Sequence, residues 1–202
     1  MTIDTVVFDL GNVLVQWDPR NLYRKLISDE REMETFLNEV CTTPWHVRQD
    51  ADGKRADATA ELIAKFPDKR DLISAFYDRF DEMIAGEVPG MAQIVMGLKA
   101  RGIMVYGLTN WPGDMFHHSK KFDILSHLDG IVVSGHEGIK KPDPRLFQIL
   151  FARYNIKPAR SMFVDDIAEN VAAGMAMGMY GHLFQDALHL RTALKGYHLL
   201  TS

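Results

Sequence analysis

The chain has 202 residues, of which 47% are hydrophobic and 25% charged, and a formal net charge of −4 at pH 7. That profile suits one globular domain, or one domain with a modest insertion, and argues against a nucleic-acid binder, which would carry a basic face. No run approaches the roughly 18 apolar residues of a membrane span, and Met1-Thr2-Ile3-Asp4 opens without a secretory pattern; one cysteine, Cys41, excludes an internal disulfide framework and fits a reducing cytoplasm, where we expect the protein.

The apolar run at 5–8 predicts a short buried strand that delivers Asp9 to a turn containing Gly11. From 19 to 88 the pattern turns helical, with almost no strand signal. Ser28 is the expected cap of a helix with an acidic first turn (Asp29, Glu30) and an apolar stripe of Met33, Phe36, Leu37 and Val40. Leu62, Ile63 and Phe66 form a second apolar face, and Leu72, Ile73, Phe76, Phe80, Met83 and Ile84 a third. Thr42-Thr43-Pro44 and Phe66-Pro67-Asp68 are read as breaks.

After Pro89-Gly90 the chain alternates. Helices are expected at 91–100, about 113–120, 143–154, 168–177 and 186–194, and strands at 104–108, 131–134, 161–164 and 180–184. Asp143 is the expected cap of its helix and Pro144 its first residue. The predicted fold is α/β: a doubly wound, Rossmann-like parallel sheet with a small helical cap inserted after the first strand. The expected division is a core of 1–16 and 89–202 and a cap of 17–88.

Four polar groups fall at corresponding places in this scheme. Asp9 follows the first strand, Thr109-Asn110 the second core strand, and Asp165-Asp166 the fourth; Lys141 sits in Gly138-Ile139-Lys140-Lys141-Pro142-Asp143-Pro144, after the third. Taken singly, Asp9, Thr109-Asn110 and Asp165 read as turns or helix caps, and the lysines as solvated surface. Together they line the carboxyl edge of a parallel sheet, where α/β proteins place their chemistry. A carboxylate nucleophile, a hydroxyl with backbone donors, a cation and a carboxylate pair suit a phosphate beside a hard divalent metal. Mg²⁺ takes such oxygens, here from Asp9, one of the pair and the Gly11 carbonyl. The eight histidines, His117-His118 included, show no zinc spacing, and Cys41 and the methionines read as packing.

These four segments, in this order and over about 6–178, resemble the haloacid dehalogenase superfamily of hydrolases. The run Phe8-Asp9-Leu10-Gly11-Asn12-Val13 is similar to its bacterial sugar-phosphate (glucose-1-phosphate) phosphatases. The resemblance implies that Asp9 attacks phosphorus and forms an aspartyl phosphate that water cleaves. It implies that Thr109 and the Asn110 backbone hold phosphate oxygens and that Lys141 neutralises charge. Asp166, with Asp165 directly or through water, then binds Mg²⁺ together with Asp9 and the Gly11 carbonyl. The expected partner is a small-molecule phosphate ester, with no nucleic acid or membrane, for a monomer or homodimer.

Two departures matter. Most family phosphatases carry a second aspartate two residues after the nucleophile, as general acid and base; here that position is Gly11, and losing such a group typically costs about 10²–10⁴-fold. Either the cap supplies a substitute (Asp18, Asp50 or Asp52), or the leaving group needs little protonation, or the chemistry is metal-free dehalogenation of a 2-haloacid. A non-catalytic phosphate-binding module is the reading outside catalysis. The Asp165-Asp166 pair favours metal and phosphate, because adjacent carboxylates repel unless a cation joins them. The second departure is Asn170, where many relatives carry an aspartate; it is expected to accept a hydrogen bond from Lys141. Trp17, Asp18 and Trp111 are the candidate substrate pocket, with cap–core packing the plainer role for the two tryptophans.

Overall fold

The structure is a computed structural model that describes residues 2–52 and 54–201, the side chain of Asp52 excepted. Strand β1 (Thr5–Phe8) is buried along its whole length, as a strand with both faces covered must be, and its residues therefore read as a continuous apolar run. Val6 and Phe8 point into one hydrophobic layer with Ile94, Val95 and Leu98 of the helix Met91–Ala100 and Leu190 and Leu194 of the helix Ala187–Gly196. Val7 points into the other layer, with Tyr106, Phe163 and the Leu146, Phe147 and Leu150 face of the helix Pro144–Tyr154.

The remaining strands are β2 (Val15–Trp17), β3 (Ile84–Glu87), β4 (Met104–Thr109), β5 (Gly130–Val133), β6 (Ser161–Asp165) and β7 (Tyr180–Leu183). Five of them form one parallel sheet in the order β5-β4-β1-β6-β7. The chain builds outward from β1 through β4 and β5, then crosses back to place β6 on the other side of β1. The order reverses between β1 and β6, and such switch points open the crevice of an α/β sheet. The doubly wound fold expected from the alternation is the fold observed.

β2 and β3 are absent from the sequence-based expectation. They pair antiparallel, Val15 opposite Glu87 and Trp17 opposite Ile84, with Asp18 N–H donating to Met83 O and Val88 N–H to Leu14 O, both at 2.9 Å. This short ribbon is the neck through which the chain leaves and re-enters the core. Between its strands lie the helices Arg20–Tyr23, Glu30–Glu39, Thr43–Val47, Gln49–Asp52, Arg55–Lys65 and Arg70–Asp78. They pack around an aromatic cluster in which Trp45 meets Phe76 edge-on at 5.2 Å and Tyr23 lies 4.9 Å from Phe36.

Several local expectations need correction. The helix Glu30–Glu39 is capped by Asp29, not Ser28: Asp29 has the extended backbone of a cap and accepts from Glu32 N–H at 2.9 Å. The break at Thr42-Thr43-Pro44 is also a beginning, since Thr42 accepts from Trp45 N–H and Pro44 sits in the first turn. Gly113–Lys121 is a 3₁₀ segment rather than an α-helix, and Ser134 opens a short helix, Ser134–Glu137, rather than ending β5. Asp143 caps its helix as expected. Cys41 is packed in the insertion. Among the described residues no helix is long and apolar enough to cross a membrane.

The insertion is tied to the sheet. Ser134 Oγ donates to Asp50 O and Lys140 Nζ to Val47 O, both at 2.5 Å, and Arg55 pairs with Asp114. These contacts bring the segment 43–52 onto the carboxyl edge of the sheet.

Candidate active site

Asp9 is the first residue after β1. Its N–H donates to Val164 O at 2.8 Å, stitching it to β6, and its Oδ1 accepts from Leu10 N–H at 2.7 Å. Lys141, only 2% exposed, reaches three oxygens: Asp165 Oδ2 at 2.7 Å, Leu108 O at 2.8 Å and Asp9 Oδ1 at 3.0 Å. An ammonium carries three donors, and all three have acceptors, the condition under which a buried charge is tolerated. The Lys141 backbone is clasped by Asn110, whose Oδ1 accepts from Lys141 N–H at 2.8 Å and whose Nδ2 donates to Lys141 O at 3.0 Å. The Asn110 side chain thus positions the lysine, a role that its sequence context, which points only to its backbone N–H, does not announce.

Asp165 holds the centre of this network. Its Oδ1 accepts from Ile167 N–H at 2.8 Å and from Asn170 Nδ2 at 3.1 Å; its Oδ2 accepts from Lys141 and, at 3.2 Å, from Asn170. Asn170 therefore does not accept from Lys141 as expected. It donates to the carboxylate that does, because Asp165 stands between them. With both oxygens engaged, Asp165 steadies the lysine, and the exposed Asp166 is the carboxylate of the pair open to a cation.

Asp9, Asp165 and Asp166 each place an oxygen within 4.8 Å of the others. Burial pushes the Asp9 carboxyl up to about 7, with Asp165 and Asp166 adding to the rise and Lys141 opposing it. Burial and then Asp165 also raise Asp166. For Lys141, burial favours the neutral amine, but Asp9 and Asp165 outweigh it and hold the ammonium. Three carboxylates thus face one ammonium, and the surplus negative charge and oxygen donors are what a hard divalent cation fits. Thr109, the last residue of β4, is buried with its Oγ1 lacking any hydrogen-bond partner, as suits a hydroxyl kept for a ligand oxygen.

Asp9 and Asp166 open onto a cavity of about 240 Å³ lined also by Gly11 and Asn110 from the sheet edge, by Trp17, His46, Val47 and Asp50, and by Phe80, Trp111 and Ile167. Both tryptophans line this cavity. Trp17 stacks on His46 at 4.7 Å within the insertion, and Trp111 meets Phe80 edge-on at 5.9 Å and so also packs the insertion against the core. Asp18 is elsewhere: it accepts from Arg20 N–H at 2.9 Å, pairs with the Arg20 guanidinium and lines a separate hollow. Asp50 lines the cavity; the Asp52 side chain lies outside the described residues. His46 does not stand out in the sequence, and nothing in its neighbours' spacing marks it. Burial, followed by Lys140, pushes His46 down to about 4, which keeps it neutral.

A buried carboxylate at a topological switch point, held against a fully partnered lysine and beside two further carboxylates, is a hydrolase-type arrangement at the edge of an α/β sheet. The chain belongs to the haloacid dehalogenase-like hydrolase family, which it matches over residues 3–178. It is 26% identical over 188 residues to sesquiterpene phosphatase astK of Aspergillus oryzae, covering 93% of this chain and 92% of that protein. It is 32% identical to acyl-CoA dehydrogenase family member 10 of Mus musculus, over 87% of this chain but only 17% of that longer protein. Among solved structures, a Bacteroides thetaiotaomicron family enzyme in complex with magnesium and inorganic phosphate superposes with a TM-score of 0.65 at 19% identity, over 93% of this chain and 98% of that one. A dehalogenase with an intermediate superposes with a TM-score of 0.67 at 19% identity, over 88% and 83%. The two fold likenesses are equal in weight, so the choice between these chemistries rests on the residues of the site.

Proposed function

We propose that the protein is a Mg²⁺-dependent phosphatase of a small phosphate ester, with Asp9 as nucleophile. The observation that carries the reading is the carboxylate surplus around Lys141: Asp9, Asp165 and Asp166 against one ammonium. A metal-free dehalogenase has no use for that surplus. A passive phosphate-binding module has no need of a carboxylate aimed into the phosphate site, where it would repel the ligand.

In this reading Asp9 attacks phosphorus and the ester oxygen departs, leaving an acyl phosphate that water cleaves to inorganic phosphate and free Asp9. Lys141 stays charged throughout and offsets the negative charge of nucleophile and phosphoryl group. Thr109 Oγ1 and the Asn110 N–H hold equatorial oxygens. Asp9, Asp166 and the Gly11 carbonyl would hold Mg²⁺, which when bound draws charge off the phosphoryl oxygens and keeps Asp9 ionised. Residues 17–88 act as a cap that excludes water during transfer, flexing near 11–17 and 87–90.

The substrate is a small metabolite, for which the sequence favours a sugar phosphate. The walls of Trp17, Phe80, Trp111 and Ile167 suit the apolar face of a sugar ring, and equally a hydrocarbon leaving group of the kind named for the Aspergillus relative. A panel of sugar, alkyl and prenyl monophosphates, assayed with Mg²⁺ and with EDTA and with 2-chloropropionate in parallel, tests the reading. Phosphate release that needs Mg²⁺ supports it. Ester hydrolysis that survives chelation, or faster turnover of the haloacid, overturns it.

A further inference from the structure

We propose that Asp50, carried by the insertion, performs the proton transfers that Gly11 leaves unassigned: it protonates the departing ester oxygen and then deprotonates the water that cleaves the aspartyl phosphate. The proposal rests on the phosphatase reading of Asp9.

The lack of a carboxylate at position 11 is not forced by crowding. A Cβ built on Gly11 meets no atom within 4 Å, so a larger side chain there has room and the sequence simply lacks one. Among the described residues, the carboxylates lining the cavity are Asp9, Asp50 and Asp166. Asp9 is the nucleophile, and Asp166 belongs to the cation cluster. His46 lines the same space, but it is stacked on Trp17 and held neutral by burial, so it has no proton to spare as an acid near neutrality. Asp18 faces a different hollow.

Asp50 has the features the role requires. It is 4% exposed, yet its Oδ1 has no hydrogen-bond partner, an arrangement costly for a carboxyl with only a structural purpose. Its backbone is tied to the core: Ser134 Oγ donates to Asp50 O and accepts from Trp111 N–H at 2.9 Å, linking Asp50 to the loop that follows β4. The charged groups around it are Asp9 across the cavity and Lys140 and Lys141 on the loop after β5, with His46 on the preceding turn. Burial dominates, with Asp9 adding and the lysines opposing, and pushes the carboxyl up to about 7, so it holds a proton near neutrality and can still release one.

The steps balance. As Asp9 Oδ bonds to phosphorus and the ester P–O bond breaks, the Asp50 proton passes to the ester oxygen, which leaves as an alcohol. The Asp50 carboxylate then takes a proton from water as that oxygen bonds to phosphorus and the Asp9 O–P bond breaks. Inorganic phosphate leaves, with Asp9 ionised and Asp50 protonated as at the start.

The test compares the full-length wild type with Asp50→Asn in Mg²⁺, on an alkyl phosphate and on an aryl phosphate whose leaving group departs as a stable anion. Single-turnover rates of phosphate transfer on the alkyl ester are expected to fall about 10²–10⁴-fold in the variant, with a much smaller loss on the aryl ester. The aryl ester is also expected to leave acid-stable phosphoenzyme accumulating in the variant, because water is no longer activated. Adding Gly11→Asp to Asp50→Asn is expected to recover alkyl ester turnover, a gain that mere misfolding or a packing role cannot produce. Equal rates for wild type and variant, or equal losses on both esters without phosphoenzyme and without rescue, overturn the proposal. A wild type that releases phosphate from no ester takes down the phosphatase reading as well; an active wild type with an unaffected Asp50→Asn takes down this inference alone.

Discussion

On the sheet side of the Asp9 cavity, Lys141, Asp165 and the amides that hold them are paired, with Thr109 Oγ1 the group left without a partner. Lys141 has three acceptors, Asp165 has donors on both oxygens, and Asn110 and Asn170 each make two hydrogen bonds that hold those charges. Around the rest of the cavity the opposite holds: Trp17 Nε1, His46 Nδ1, Asp50 Oδ1 and Trp111 Nε1 are buried with no partner in the protein. Each such atom costs about 1–3 kcal/mol, so the protein forgoes stability along the cavity wall and secures it where charges are positioned. Polar satisfaction within one cavity thus separates scaffold from working surface.

If that contrast is right, substitutions on the two sides differ in kind. Asp9→Asn has the largest effect, a loss of turnover on the order of 10⁴-fold or more, with stability kept or raised because a buried carboxylate is gone; initial rates and urea unfolding check both. Lys141→Ala strikes the scaffold and leaves Asp9 and Asp165 uncompensated, at about 3–5 kcal/mol of stability, read from urea midpoints. Asn170→Ala removes the amide that bridges both Asp165 oxygens and costs about 1.5–3 kcal/mol, with a parallel loss of rate as the lysine loosens.

Asp50→Asn behaves differently. The folded protein keeps the Asp50 proton up to about pH 7, while the unfolded chain releases it near 3.8. Between those values the folded state binds more protons, so this group's contribution falls as pH rises through that window and stays low above it. The variant is therefore expected to unfold at a higher temperature than wild type at pH 8, with the gain vanishing toward pH 4; an equal Tm difference at both ends breaks the contrast. The smallest change is Trp17→Phe, which keeps the ring on His46 but removes the unpaired N–H. It is expected to shift KM severalfold while stability stays within about 1.5 kcal/mol.

Much of the sheet side is legible in sequence because it depends on position along strands. Apolar runs buried on both faces declare β1, β4 and β6, and the residues at their carboxyl ends land on one edge whatever the details of packing. Asp9, Thr109 and Asp165-Asp166 come together for that reason. The partner of Asn170 is not legible in the same way, because its distance from Lys141 depends on Asp165 lying between them, which no spacing encodes. The working surface is set by contacts remote in sequence. Asp50 is placed by Ser134, 84 residues on, and Val47 by Lys140, 93 residues on, while β2 and β3 are too short to announce a pairing that spans the insertion. Asp18, close to Asp9 in sequence, is carried away from the site by that same ribbon.

Asp9 is expected to form a covalent phosphoenzyme with the help of a divalent cation. Rapid acid quench of the wild type with an aryl phosphate, followed by mass spectrometry of the peptide containing Asp9, measures it directly. The expected result is a phosphorylated Asp9 that forms with Mg²⁺, fails to form with EDTA and is absent from Asp9→Asn. An unmodified Asp9 during active ester hydrolysis, or a phosphoryl group on another residue, contradicts it.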